Sequence, residues 1–182
     1  MIKEQLRLYK EFARSYYGGK DRAHDFRHIE RILSRLELLS EGLSPPRRHL
    51  LYFLACFHGL RQCVRDDQQF REKVGNFLHG LGWSDEEVEE AFRSLERHLK
   101  APQTVEEKPV HDANFVELLG AFGIAKAFTE GGALRQSYEQ TADIFKHQYL
   151  DKVKFRTPVG RRWAKERRAY TKEFLRRLQN ER

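Results

Sequence analysis

A chain of 182 residues with 40% apolar residues and a net charge of +7 has the size and hydrophobic content of one folded domain, not of a disordered tract. It has no apolar run near the roughly 20 residues that a membrane helix requires, and its opening, MIKEQLRLYKEF, lacks the apolar centre of a secretory leader. Cys56 and Cys63 would lie roughly 10 Å apart along one helix, too far for a disulfide, so a reduced, cytoplasmic protein is expected.

Helical spacing dominates from the first residues. Ile2, Leu6, Tyr9, Phe12, Ala13 and Tyr16 form one apolar stripe, ended by Gly18 and Gly19. Asp25 is placed to cap a second helix, with Phe26, Ile29, Ile32, Leu33, Leu36 and Leu39 on its inner face. Ser44-Pro45-Pro46 reads as a cap with prolines in a first turn, opening a helix that runs through Leu50 to His58. A charged loop at Arg65, Asp66 and Asp67 precedes the helix of Phe70, Val74, Phe77 and Leu78, closed at Gly80-Leu81-Gly82.

Ser84-Asp85-Glu86-Glu87 is a capping box for the helix of Val88, Phe92, Leu95 and Leu99, and Thr104 to Glu107 is a second candidate. A helical stretch follows from Val110 to Phe128. Gly131-Gly132 separates it from another around Leu134 to Leu150, and Thr157-Pro158 starts the last. The expectation is an all-α single domain of roughly eight helices over residues 1–182. Its core covers about 20–150, and a C-terminal helix over about 158–180 packs on it.

Charge is unevenly spread. From Asp151 to Arg182 there are twelve Lys or Arg against four Asp or Glu, so this segment carries the whole positive excess. Such a helix suits an anionic partner, a phosphorylated ligand or nucleic acid, although a merely solvated face has the same composition.

The histidines carry the chemical signal. His24 and His28 stand four apart with Asp25 between them, and Arg31 follows His28 at helical spacing. His58 closes an apolar helix, and His111-Asp112 precedes a run of small and apolar residues. Taken alone, each histidine reads as a hydrogen-bonded core or surface residue. Imidazoles and a carboxylate reaching one core from three helices are what a metal site in a helical scaffold needs.

The order of these pieces resembles the HD-domain superfamily of metal-dependent phosphohydrolases, in its small single-domain bacterial branch. Ala23-His24-Asp25-Phe26-Arg27-His28-Ile29-Glu30-Arg31-Ile32 is similar to the first motif, S-H-D-x-x-H-x-x-R-V. Leu54-Ala55-Cys56-Phe57-His58-Gly59 stands where an apolar helix ends in His-Asp. His111-Asp112-Ala113-Asn114-Phe115, then Gly120 to Phe128 and Gly131-Gly132, is similar to the third motif, Asp-Ala-Asp followed by G-A-I-G-I-A-R-A-F.

The resemblance implies His28, His58 and Asp112 as metal ligands, and Arg31, His98 and Lys126 as contacts to a phosphorylated small molecule or nucleotide. It implies a divalent ion (zinc, manganese or magnesium) that binds a phosphate oxygen and activates water. Two departures weaken that site: Gly59 replaces the doublet's aspartate, and Asn114 the second aspartate of the third motif. Restoring aspartate at 59 is expected to raise metal affinity. Three readings follow: an atypical phosphohydrolase, a degenerate domain that binds a phosphorylated ligand or nucleic acid without turnover, and a helical protein-interaction module.

Overall fold

The computed structural model describes residues 2–18 and 26–181, with the side chain of Tyr149 excepted. The expected helix cap Asp25, the first-motif His24 and Gly19 lie outside the described residues. Among those described there is no strand, and the helices are α1 (Ile2–Arg14), α2 (Phe26–Ser40), α3 (Arg48–Phe57), α4 (Arg61–Asp66), α5 (Gln68–Gly80), α6 (Asp85–Arg97), α7 (Glu107–Phe115), α8 (Gly120–Ala133), α9 (Tyr138–Ile144) and α10 (Pro158–Asn180).

This is more than the roughly eight expected because two apparent helices are interrupted. Between α3 and α4 the chain tightens into a 3-10 turn over His58–Leu60. Between α7 and α8 it passes through a 3-10 turn at Val116–Leu118, an extended Leu119, and Gly120 at φ +73°. A left-handed conformation at that junction favours glycine.

Local signals account for some of the boundaries. The Ser84 capping box is fully formed. The Thr157 side chain accepts from the Gly160 N–H, with Pro158 in the first turn of α10. Pro45 and Pro46 precede α3 and do not enter it, since the helix begins at Arg48. Gly131 and Gly132 do not end α8, which continues to Ala133 and stops where Arg135 takes φ +57°. A Cβ on Gly131 would come within 2.1 Å of the Thr141 hydroxyl, so the glycine is there for close contact with α9.

The main core lies among α1, α3 and α5, where Tyr9 meets Phe53, Phe57 and Phe77 edge-on and Phe12 stacks on Phe77 at 4.4 Å. A smaller apolar cluster under α10 contains Val116, Leu119, Leu150, Phe155 and Ala164, and Trp163 packs against both. The C-terminus of α6 is tied to α7 through Arg97, which donates to the buried Glu107 carboxylate at 2.8 and 2.6 Å. That pairing brings His98, the residue after α6, beside the helix that carries Asn114. No helix of the described residues is long and apolar enough to cross a membrane.

Candidate functional site

The site is built where α2, the His58 turn and α7 meet. His28, Arg31 and Arg35 share one face of α2 and converge on a single carboxylate, Glu117. His28 Nδ1 donates to Glu117 Oε2 at 2.9 Å, Arg31 Nε to Oε1 at 2.8 Å, and Arg35 Nη1 to Oε1 at 2.6 Å. Burial by itself would raise the Glu117 pKa. The hydrogen bonds from His28 and Arg31 outweigh it and hold the group well below the usual carboxylate range. Glu117 is therefore an anion with its oxygens taken by cationic donors. The sequence signal for it was a lone acid in the apolar run Phe115-Val116-Glu117-Leu118-Leu119.

His58 faces the same region from the turn after α3. His98 Nδ1–H donates to the Leu95 carbonyl at 2.6 Å, which leaves the lone pair on its Nε2 to accept from His58 Nδ1–H at 2.8 Å. The Asn114 side chain lies close enough to act on His58 as well, and an amide, both donor and acceptor, suits the imidazole nitrogen that remains. The His28 and His58 rings lie 5.4 Å apart, edge to face.

Burial, followed by the neighbouring His98 and His28, pushes His58 well below the ordinary imidazole pKa, and burial lowers His98 to about 4. Both are neutral near pH 7. The unfolded chain binds more protons than the native one between about pH 4 and the ordinary 6.5, so stability rises with pH across that window. Thermal unfolding at pH 7.5, 6 and 5 should show a melting temperature that falls with acidification. The slope should approach about 1.4 kcal/mol per pH unit for each histidine.

Gly59 is explained by what lies against it. Its N–H donates to the Tyr17 hydroxyl at 2.9 Å, and that hydroxyl donates in turn to the Cys56 carbonyl at 3.3 Å. A Cβ at position 59 would stand 2.7 Å from the Tyr17 oxygen and 3.0 Å from its ring. The buried phenol occupies the space a side chain at 59 would need.

Asp112 does not join the two histidines. His111 Nδ1–H reaches its Oδ1 at 2.8 Å. Its other donors come from the start of α10: the Arg156 N–H at 2.9 Å, and the Thr157 N–H and hydroxyl at 2.8 and 2.9 Å. A Cβ on Gly160 would meet its Oδ2 at 2.1 Å. Both oxygens of Asp112, expected as a metal ligand, accept from these donors and pin α7 to the N-terminus of α10. It is Asn114, two residues on and so about 200° around the helix, that faces His58.

The other expected contacts divide. Arg31 braces Glu117, and its guanidinium also lies 4.9 Å from the Phe122 ring centroid. His98 is completely buried behind His58 and does not sit on a rim. Lys126 lines a cavity of about 500 Å³ whose wall includes Asn114, Glu130, Gln136, Phe145 and Gln148. One side of this cavity is α8. The opposite side is α9 and the π-helical turns of Phe145–Leu150 that continue it, a backbone irregularity often found at functional sites.

No family model matches the sequence. The Bacillus subtilis protein YpgQ is 34% identical over 96 residues, 50% of this chain and 47% of YpgQ. The match thus spans about half the length of that curated relative. Among solved structures, an HD-superfamily hydrolase from Bacillus thuringiensis aligns with a TM-score of 0.81 over 100% of this chain and 98% of its own, at 23% identity. Bacillus subtilis YpgQ in complex with ADP aligns with a TM-score of 0.80 over 100% and 96%, also at 23% identity. The chain has the HD-superfamily fold.

Within this HD fold, a resident divalent ion does not fit the donors present among the described residues. His28 and His58 supply two imidazoles and Asn114 a neutral amide, while Gly59 supplies nothing. Glu117 and Asp112 are committed to other groups. Magnesium and manganese need oxygen-rich, anionic surroundings, and zinc sites hold at least three protein donors. Among the described residues no group of three or more His, Cys, Asp or Glu could hold a metal ion.

Proposed function

We propose that this HD-fold chain binds a phosphorylated small molecule, a nucleotide foremost, without metal-assisted hydrolysis. The observation that carries the reading is the state of the carboxylates: Glu117, beside His28, and Asp112, turned away towards α10, are both saturated by donors of the chain itself. Of the uncharged His58, His98 and Asn114, Asn114 lines the cavity, where its amide can hydrogen-bond a ligand but cannot concentrate a hard dication.

The cavity supplies the rest. Lys126 offers a cation to a phosphate, the amides of Gln136 and Gln148 offer paired donors and acceptors to a base or sugar, and Phe145 offers an apolar wall. The ADP held by YpgQ, on the same fold, supports a nucleotide as the occupant. A nucleic-acid contact through α10 is left out of the proposal because much of its charge is engaged. Lys172 pairs with Asp151, Arg176 and Arg177 with Glu173, and Arg168 bonds the carbonyls of Leu150 and Val153.

Calorimetric titration with ADP in EDTA and again with Mn²⁺ tests the proposal. The affinity should be the same in both, with no phosphate released. Metal-dependent phosphate release above background would overturn it and restore the hydrolase reading. Lys126→Gln should weaken ADP about 10-fold, as expected for one charge-assisted hydrogen bond.

A further inference from the structure

A second cationic centre lies outside the cavity. Arg31 and Arg35 on α2 and Arg167 on α10 surround the first turn of α8. The Arg31 guanidinium is stacked on Phe122, and the Arg167 side chain packs against Gly120, whose built Cβ would lie 3.2 Å from Arg167 Cγ. Gly120 N–H donates to the Thr171 hydroxyl at 2.9 Å, which fixes α10 against this turn. None of the three arginines lines the cavity at Asn114.

The charges here do not balance. One buried carboxylate, Glu117, is shared by Arg31, Arg35 and His28. Glu166, the other acid acting on Arg167, is exposed on α10 and its effect is screened by solvent. Among the described residues, Arg35 makes one hydrogen bond, to Glu117, and Arg167 one from its guanidinium, to the Val116 carbonyl at 3.0 Å. A guanidinium has five N–H donors in a planar fork, so most of this capacity remains for a ligand. Burial and the nearby Arg35 both lower the Arg167 pKa, as expected of a cation short of counter-charge. The arginines are half-buried and held by packing, so little side-chain freedom is lost on binding.

We propose that Arg31, Arg35 and Arg167 form a binding site for a phosphate dianion, as inorganic phosphate or as the terminal group of a phosphomonoester, distinct from the cavity at Asn114. Oxygen acceptors arranged around one phosphorus match converging arginine forks, which chloride cannot do.

The test is titration of the full chain with inorganic phosphate, and separately with AMP and adenosine, at constant ionic strength. Phosphate should bind, and Arg167→Gln should weaken it at least about 10-fold. Arg35→Lys, which keeps the charge but loses the fork, should weaken it by several-fold. Failure of the cavity proposal is read from ADP binding by Lys126→Gln, and failure of this one from phosphate binding by Arg167→Gln, so the two are told apart by different variants and different ligands. If AMP binds through this site, Arg167→Gln weakens it too. If AMP affinity is untouched in Arg167→Gln while phosphate affinity falls, free phosphate is the ligand. Adenosine should not respond to Arg167→Gln.

Amide shifts of Gly120 to Gly123 on adding phosphate to the unaltered chain give a readout that needs no variant. Equal responses to phosphate and chloride, unmoved amides at Gly120 to Gly123, or undiminished phosphate binding by folded Arg167→Gln would each overturn the proposal.

Discussion

Gly59→Asp should destabilise the protein by about 1–3 kcal/mol, chiefly through overpacking against the buried Tyr17 ring. It should not raise metal affinity, contrary to what the motif alone suggests. The Cβ of any residue at 59 would lie 2.7 Å from the Tyr17 hydroxyl, and the Gly59 N–H and Cys56 carbonyl would lose the phenol that joins them. Tyr17→Ala costs stability as well, through the void it leaves. The decisive quantity is the coupling in a double-mutant cycle: Tyr17→Ala with Gly59→Asp should lose clearly less than the sum of the two single losses. Strictly additive melting data would show that Tyr17 is not what excludes a side chain from position 59.

Asp112→Ala should be damaging as well. It removes the acceptor for the backbone N–H groups of Arg156 and Thr157 and for the Thr157 hydroxyl, and strands His111. Buried donors left without partners cost about 1–3 kcal/mol each, so a total near 4 kcal/mol is expected, with further loss offset by water entering the gap. Hydrogen exchange should localise the damage, with protection lost first at the start of α10. A ligand role predicts the reverse, a folded chain of unchanged stability that has lost only metal. Asp112→Asn keeps an acceptor oxygen and should fall between the two.

These two positions show where sequence reasoning succeeds and where it stops. The helical class, the Ser84 capping box and the Thr157 cap follow from periodicity and side-chain chemistry over a few residues, and the structure has them. The resemblance pairs His28 with His58, and their rings lie 5.4 Å apart. Choosing between Asp112 and Asn114 did not. Residues two apart on one helix face nearly opposite ways, so the choice depends on how α7 is rotated against its neighbours, a tertiary property. Tyr17 was unreadable for another reason: its partner stands 42 positions away, in a segment with no periodic relation to α1. Glu117 was within reach, because an acid isolated among four apolar or aromatic neighbours asks for buried cations.

The contact between Tyr17 and Gly59 also limits the routes by which this chain can change. An exchange of glycine for aspartate, with the tyrosine in place, leads first to a damaged fold. An acidic side chain at that turn becomes tolerable only after position 17 has shrunk. The order of the two substitutions is thereby set by packing, and selection for stability alone would hold a population on the glycine side of the barrier.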